Sequence, residues 1–133
     1  MNPSLAAKVP TKRVAQAVWE LVVHGSVAGL TGFRGVHALL ARTRVRQAAS
    51  APGLEPALCE AVNRAISFFP KRVRCLQRSA VTVRMLRKHG IPATFVVGYR
   101  PAPFFSHAWV EVNGRVVNDD SGYQRQLTIL LRC

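Results

Sequence analysis

Apolar residues recur at helical spacing through the first half of the chain and give way to strand-like runs in the second, so the pattern predicts helices followed by a small sheet. Val14, Ala17, Val18, Leu21 and Val22 form one stripe, widened by Trp19, which predicts an amphipathic helix from about Lys12 to His24 with Thr11 as its cap. Gly25, Gly29 and Gly32 are expected to break it. Thr31 can then cap a second helix, in which Val36, Leu39 and Leu40 give a short apolar face ahead of Arg42, Arg44 and Arg46. The alanine, serine, proline and glycine of residues 47–56 read as a connector. Leu58, Val62, Ala65 and Ile66 predict a third helix, closed by Phe68, Phe69 and Pro70. After the basic linker Lys71 to Arg74, a fourth helix runs from Cys75 to His89. Leu76, Ala80, Val83 and Leu86 or Arg87 lie along its inner side, and Gly90 is its stop.

Beyond Gly90 the periodicity changes. Ala93 to Tyr99 and Ser106 to Val112 are rich in Thr, Phe and Val, and Asn113-Gly114 is a strong hairpin signal, so Arg115 to Asn118 should return antiparallel. Pro101 to Phe105 reads as a stiff apolar loop. Residues 124–133 fit a strand by the alternation of Leu127, Ile129 and Leu131, and a helix by Leu127, Leu130 and Leu131. They are read as a short helix or irregular tail. The fold class expected is α+β: N-terminal helices, then a small antiparallel sheet. One domain covers residues 1–133, with a loose arm at 1–10, a helical part at 11–70, the cysteine helix at 75–89 and antiparallel strands at 93–120.

Composition narrows the classes of function. The net charge is +13 over 133 residues, and Arg64, Lys71, Arg72, Arg74, Arg78, Arg84, Arg87 and Lys88 occur without an acidic residue between them, which predicts a positive face around the start of the cysteine helix. A nucleic-acid-binding module would account for the charge, yet that stretch interleaves only Phe68 and Phe69 as stacking aromatics, so no nucleic-acid partner is expected. No run of about eighteen apolar residues spans a bilayer and no secretory signal pattern opens the chain, which points to a cytoplasmic protein. Three cysteines without a Cys-x-x-Cys pair argue against a disulfide scaffold and a structural zinc. Neither metal nor cofactor is expected.

Candidate chemistry concentrates between Cys75 and Asp120. A thiol in the first turn of a helix sits among unpaired amides at the positive end of the macrodipole, where Arg72, Arg74 and Arg78 also favour thiolate over thiol. His107 follows on a strand, and the hairpin returns either Asp119 or Asp120 to its side, which is the order a Cys-His-Asp triad needs. On a regular strand His107, Trp109 and Glu111 share one face while Ala108, Val110 and Val112 share the buried one. Cys59 and Cys133 read as small buried hydrophobes, and His24 and His37 as surface or packing residues.

The segments Cys75-Leu76-Gln77-Arg78-Ser79-Ala80, Leu86-Arg87-Lys88-His89-Gly90-Ile91-Pro92-Ala93, Val97-Gly98-Tyr99, Ser106-His107-Ala108-Trp109-Val110-Glu111-Val112 and Val117-Asn118-Asp119 together resemble the B2 proteins of lasso peptide biosynthesis. The resemblance covers about residues 58–120. It implies a transglutaminase-like, papain-like core and a cysteine protease that removes the leader from a lasso precursor. It carries the nucleophile to Cys75, the general base to His107 and the orienting acid to Asp119, with Asp120 as the fallback. The Cys75 backbone amide is the expected oxyanion donor. Arg72, Arg74, Arg78, Phe104, Phe105 and Trp109 are the expected substrate-binding residues. The implied partners are the precursor peptide, a separate winged-helix leader-recognition B1 protein and the lasso cyclase, since the chain opens on helices with no room for a recognition domain of its own. Amide transfer or deamidation by the same triad is the alternative chemistry.

Overall fold

The computed structural model describes residues 10–47, 53–70, 72–118 and 126–133. Among them, three helices, α1 (Thr11–Arg42), α2 (Leu54–Phe68) and α3 (Cys75–Lys88), precede four strands, β1 (Ala93–Pro101), β2 (Phe104–Val112), β3 (Arg115–Val116) and β4 (Thr128–Arg132). The strands form one antiparallel sheet in the order β3-β2-β1-β4. This is the expected α+β architecture.

The two N-terminal helices of the sequence reading are one helix with a kink. Only Gly32 leaves helical geometry, at φ 67 and ψ −157. Gly25 and Gly29 stay helical between one buried group, Ala17, Leu21 and His24, and another, Val36 and Leu40, whose packing offsets the roughly 1 kcal/mol that each helical glycine costs. Gly25 has a packing reason of its own, since a Cβ there would stand 3.2 Å from the Gln77 side-chain nitrogen. Neither expected threonine cap forms. Pro10 occupies the cap position ahead of Thr11, and the Thr31 hydroxyl donates back to the Val27 carbonyl at 2.7 Å. Trp19 does not widen the buried stripe either, because it is exposed.

Helix α3 is the centre of the molecule. Ser79 through Val83, Met85 and Leu86 are buried, and α1, α2, β1 and β2 all pack against it. Ala93, Phe95, Ala108, Val110 and Val112 complete that core from the sheet. Each large side chain so buried contributes about 1.5–3 kcal/mol.

The first hairpin is tighter than expected, and the second is as expected. The pairing of β1 with β2 runs unbroken from Ala93↔Val112 to Pro101↔Phe104, so Pro101 to Phe105 is a strand end, a turn and a strand start rather than a loop. The Asn113-Gly114 turn has φ 52 and 78, the left-handed pair that a two-residue hairpin requires, and it pairs Val112 with Arg115 and Glu111 with Val116. Thr128–Arg132 is a strand, not a helix or irregular tail. Its apolar alternation signals the right period, but the open edge of β1 that recruits it exists only in the folded chain.

A buried charge cluster joins α1 to α3. The Glu20 carboxylate is ion-paired with Arg84, whose Nε stands 3.2 Å away, and with the Lys88 ammonium, with His24 Nε2 at 3.9 Å. Burial, and then the Arg84 charge, lower the His24 pKa from 6.5 to about 4 against the opposing pull of Glu20. The unfolded chain therefore takes up this proton near pH 6.5 and the folded chain only near 4. Between those values the unfolded state binds more protons, so acidification is expected to remove stability, by about 3 kcal/mol across the window. Urea midpoints at pH 7 and pH 4.5 measure this, and His24→Gln should flatten the profile.

Candidate active site

Cys75 stands where the sequence reading puts it, as the first residue of α3. Arg74 before it is extended, at φ −83 and ψ 162, and its side chain makes no capping bond. The helix ladder opens with the Arg78 amide on the Arg74 carbonyl at 2.9 Å, so the amides of Cys75, Leu76 and Gln77 have no partner inside the helix. Gln77 is held elsewhere, because its side-chain amide donates to the Leu21 carbonyl at 3.1 Å.

His107 lies on β2 opposite Gly98 of β1. Its ring continues a row with Phe105, 6.2 Å away and 11° from parallel, and Trp109, 6.3 Å away and 18° from parallel. A Cβ on Gly98 would come within 2.8 Å of the Trp109 ring and 3.0 Å of the Leu127 Cβ. Glycine at 98 is thus what lets the indole lie across β1 beside His107.

Cys75 and His107 both line one open cleft of about 510 Å³, with Arg74, Leu76, Phe33, Val97, Tyr99, Phe104, Ser106, Ala108 and Leu130. Of the expected substrate-binding residues, Arg74 and Phe104 are on this wall. Trp109 is buried behind it, with its indole N–H donating to Glu111 at 3.1 Å. Phe105 faces a neighbouring hollow with Arg100 and Leu127, and Arg100 lies 5.6 Å from its ring centre. Arg72 borders a different groove, with Leu21, Val22, Phe69 and Gln77. Arg78 is half-buried in the first turns of α3. Asp119 and Asp120 lie outside the described residues.

The positive face is narrower than the sequence suggests. Arg84 and Lys88 serve Glu20, Arg64 pairs with Glu60 at 3.4 Å, and Arg87 is turned inward onto backbone carbonyls. Among the described residues Arg72 and Arg74 remain as the exposed charges beside Cys75, and Lys71 lies outside them.

A polar chain that the sequence reading missed runs behind the site. The Ser79 hydroxyl donates to the Ala108 carbonyl at 3.1 Å and accepts the Asn118 side-chain amide at 3.1 Å. The Asn118 side-chain oxygen in turn accepts the Val110 amide at 2.9 Å. It takes the place of a backbone partner just after Val117, whose amide makes the last described bond to β2 at 3.0 Å. The chain is therefore fixed to β2 and α3 at the residue before Asp119. Only a helical Ser and a strand-end Asn mark this in sequence, and neither is diagnostic.

The three cysteines are not equivalent. Cys59 is buried in α2, and burial, aided by the Glu55 charge, pushes its thiol up to about 12. At neutral pH the native protein is expected to take iodoacetamide at Cys75 and Cys133, both half-buried, with Cys59 reacting at least about 100-fold more slowly until the chain unfolds. Peptide mass spectrometry reads the three sites separately.

A helix-borne thiol and a strand-borne histidine on one cleft define a candidate thiol enzyme, and residues 17–132 match the Transglutaminase-like superfamily, to which the chain belongs. Over 56 residues it is 41% identical to the microcin J25-processing protein McjB of Escherichia coli, a stretch that covers 42% of this chain and 27% of that protein. No solved structure matches the chain significantly. No helix among the described residues is long and apolar enough to cross a membrane.

Proposed function

We propose that the protein is a cysteine peptidase that removes the leader from a lasso peptide precursor. The observation that carries this reading is the shared cleft of Cys75 and His107, supported by the similarity to a microcin-processing protein. The Cys75 thiolate attacks the carbonyl at the leader–core junction while the Cys75 backbone amide, which has no partner within the helix, donates to the developing oxyanion. His107 protonates the departing amine and then activates the water that releases the acyl-enzyme. Asp119 fixes the imidazole tautomer, with Asp120 as the fallback. The Asn118 anchor holds the residue before that carboxylate to β2 and α3.

A separate leader-recognition protein delivers the precursor, and Arg74 with Arg72 offers an acidic leader or partner a positive approach to the cleft. The test is mass spectrometry of precursor incubated with this protein and the recognition protein. A leader ending in a free carboxylate supports hydrolysis. An amine adduct or a deamidated side chain would replace it with the alternative chemistry of the same triad.

A further inference from the structure

Three large apolar side chains are left in solvent at one place. Phe104 is 76% exposed, Leu130 67% and Phe33 46%, and all three line the cleft that holds Cys75 and His107. Apolar surface scattered singly is ordinary, but its convergence on a concave wall beside a nucleophile marks a ligand surface.

Local backbone devices put two of them there. Phe33 directly follows the Gly32 kink. On β4, one step along β1 from Val97 to Gly98 spans two residues, from Leu131 to Ile129, so Leu130 is the extra residue of a β-bulge. Bulges re-aim side chains, and this one gives Leu130 to the cleft. Leu76, Val97 and Ala108 extend the apolar wall, and among the described residues that line it Arg74 carries the one fixed charge.

We infer that this wall is a specificity subsite for a bulky, uncharged apolar side chain of the peptide substrate, next to the bond that Cys75 attacks, with Leu130 and Phe104 as its determinants. The inference rests on the peptidase reading for its substrate. The cleft's selectivity, however, can be read without any peptidase activity.

The experiment compares alkylation of Cys75 by N-benzyl iodoacetamide and by iodoacetamide, resolved from Cys59 and Cys133 by peptide mass spectrometry. The ratio of the two rates is divided by the same ratio for glutathione. The expected normalised ratio is about tenfold above one, falling at least about fivefold in Leu130→Ser and being kept in Leu130→Met. Leu130 is exposed, so neither change threatens the fold. A ratio of one, or a raised ratio that neither Leu130→Ser nor Phe104→Ser lowers, would overturn the inference. So would protection of Cys75 that grows with protein concentration, which would mean that a second copy fills the cleft. Apolar selectivity without precursor cleavage would remove the peptidase reading and leave the subsite, whereas cleavage without selectivity would do the reverse.

Discussion

Cys75→Ala is expected to lower cleavage of the precursor by at least about 10⁴-fold while leaving the fold in place. The size of the effect follows from covalent catalysis. Without the thiol no acyl-enzyme forms, and the remaining groups can only position the substrate and stabilise the oxyanion. Stability should change little, because Cys75 is half-buried at the edge of the core and alanine keeps the helix start. His107→Ala should cost about as much as the cysteine change, since nucleophile and base act as a unit, and the double variant should be hardly worse than either single one. The measurement is single-turnover cleavage with the recognition protein present, paired with thermal melts. Cleavage at wild-type rate in a folded Cys75→Ala chain would end the peptidase reading.

Arg87→Met is expected to remove about 3–5 kcal/mol of stability. The guanidinium donates to four carbonyls: Ala93 at 2.9 Å, Leu40 at 2.9 Å, Thr43 at 3.1 Å and Cys133 at 3.0 Å. It thereby ties the end of α1, the start of β1 and the residue after β4 to the last turn of α3. Methionine fills most of the volume and donates nothing, so four half-buried carbonyls lose their charged partner at once. Arg87→Lys should recover only part of the loss, because one ammonium cannot reach carbonyls arranged around a planar fork. Chemical unfolding gives the magnitude. Hydrogen exchange should show β4 released first, since among the described residues Cys133 is otherwise held by its paired bonds of 2.8 Å to Phe95. If Leu130 shapes the cleft from β4, the same variant should also lose apolar selectivity at Cys75.

Much of the architecture is legible in local pattern. The periods of α2 and α3, the stop at Gly90 and the Asn113-Gly114 hairpin are each fixed by side chains within a few residues of one another, and they stand as expected. Glycine position alone was not enough at the N-terminus. Gly25, Gly29 and Gly32 carry the same intrinsic helix penalty, yet two of them are helical and one is a kink. The eight basic residues from Arg64 to Lys88 are alike in sequence. Whether each is solvated, paired with Glu20 or turned onto carbonyls depends on what the fold sets beside it.

For the site, the sequence by itself singled out the two candidate reacting groups. A cysteine at a predicted helix start and a histidine on a strand leading into an Asn-Gly hairpin are local facts, and the structure adds that one cleft contains both. What only the tertiary structure decided is what surrounds them. Trp109 belongs behind His107 because Gly98 leaves room for it. Asn118 belongs to a bonded chain with Ser79. Leu130 reaches the cleft through a bulge in a strand that the sequence reading took for a tail. The physical reason is common to all three: each position is set by a partner far away in the chain, and a hydrogen bond, a missing Cβ or an open sheet edge leaves no periodic trace in the residues that answer it.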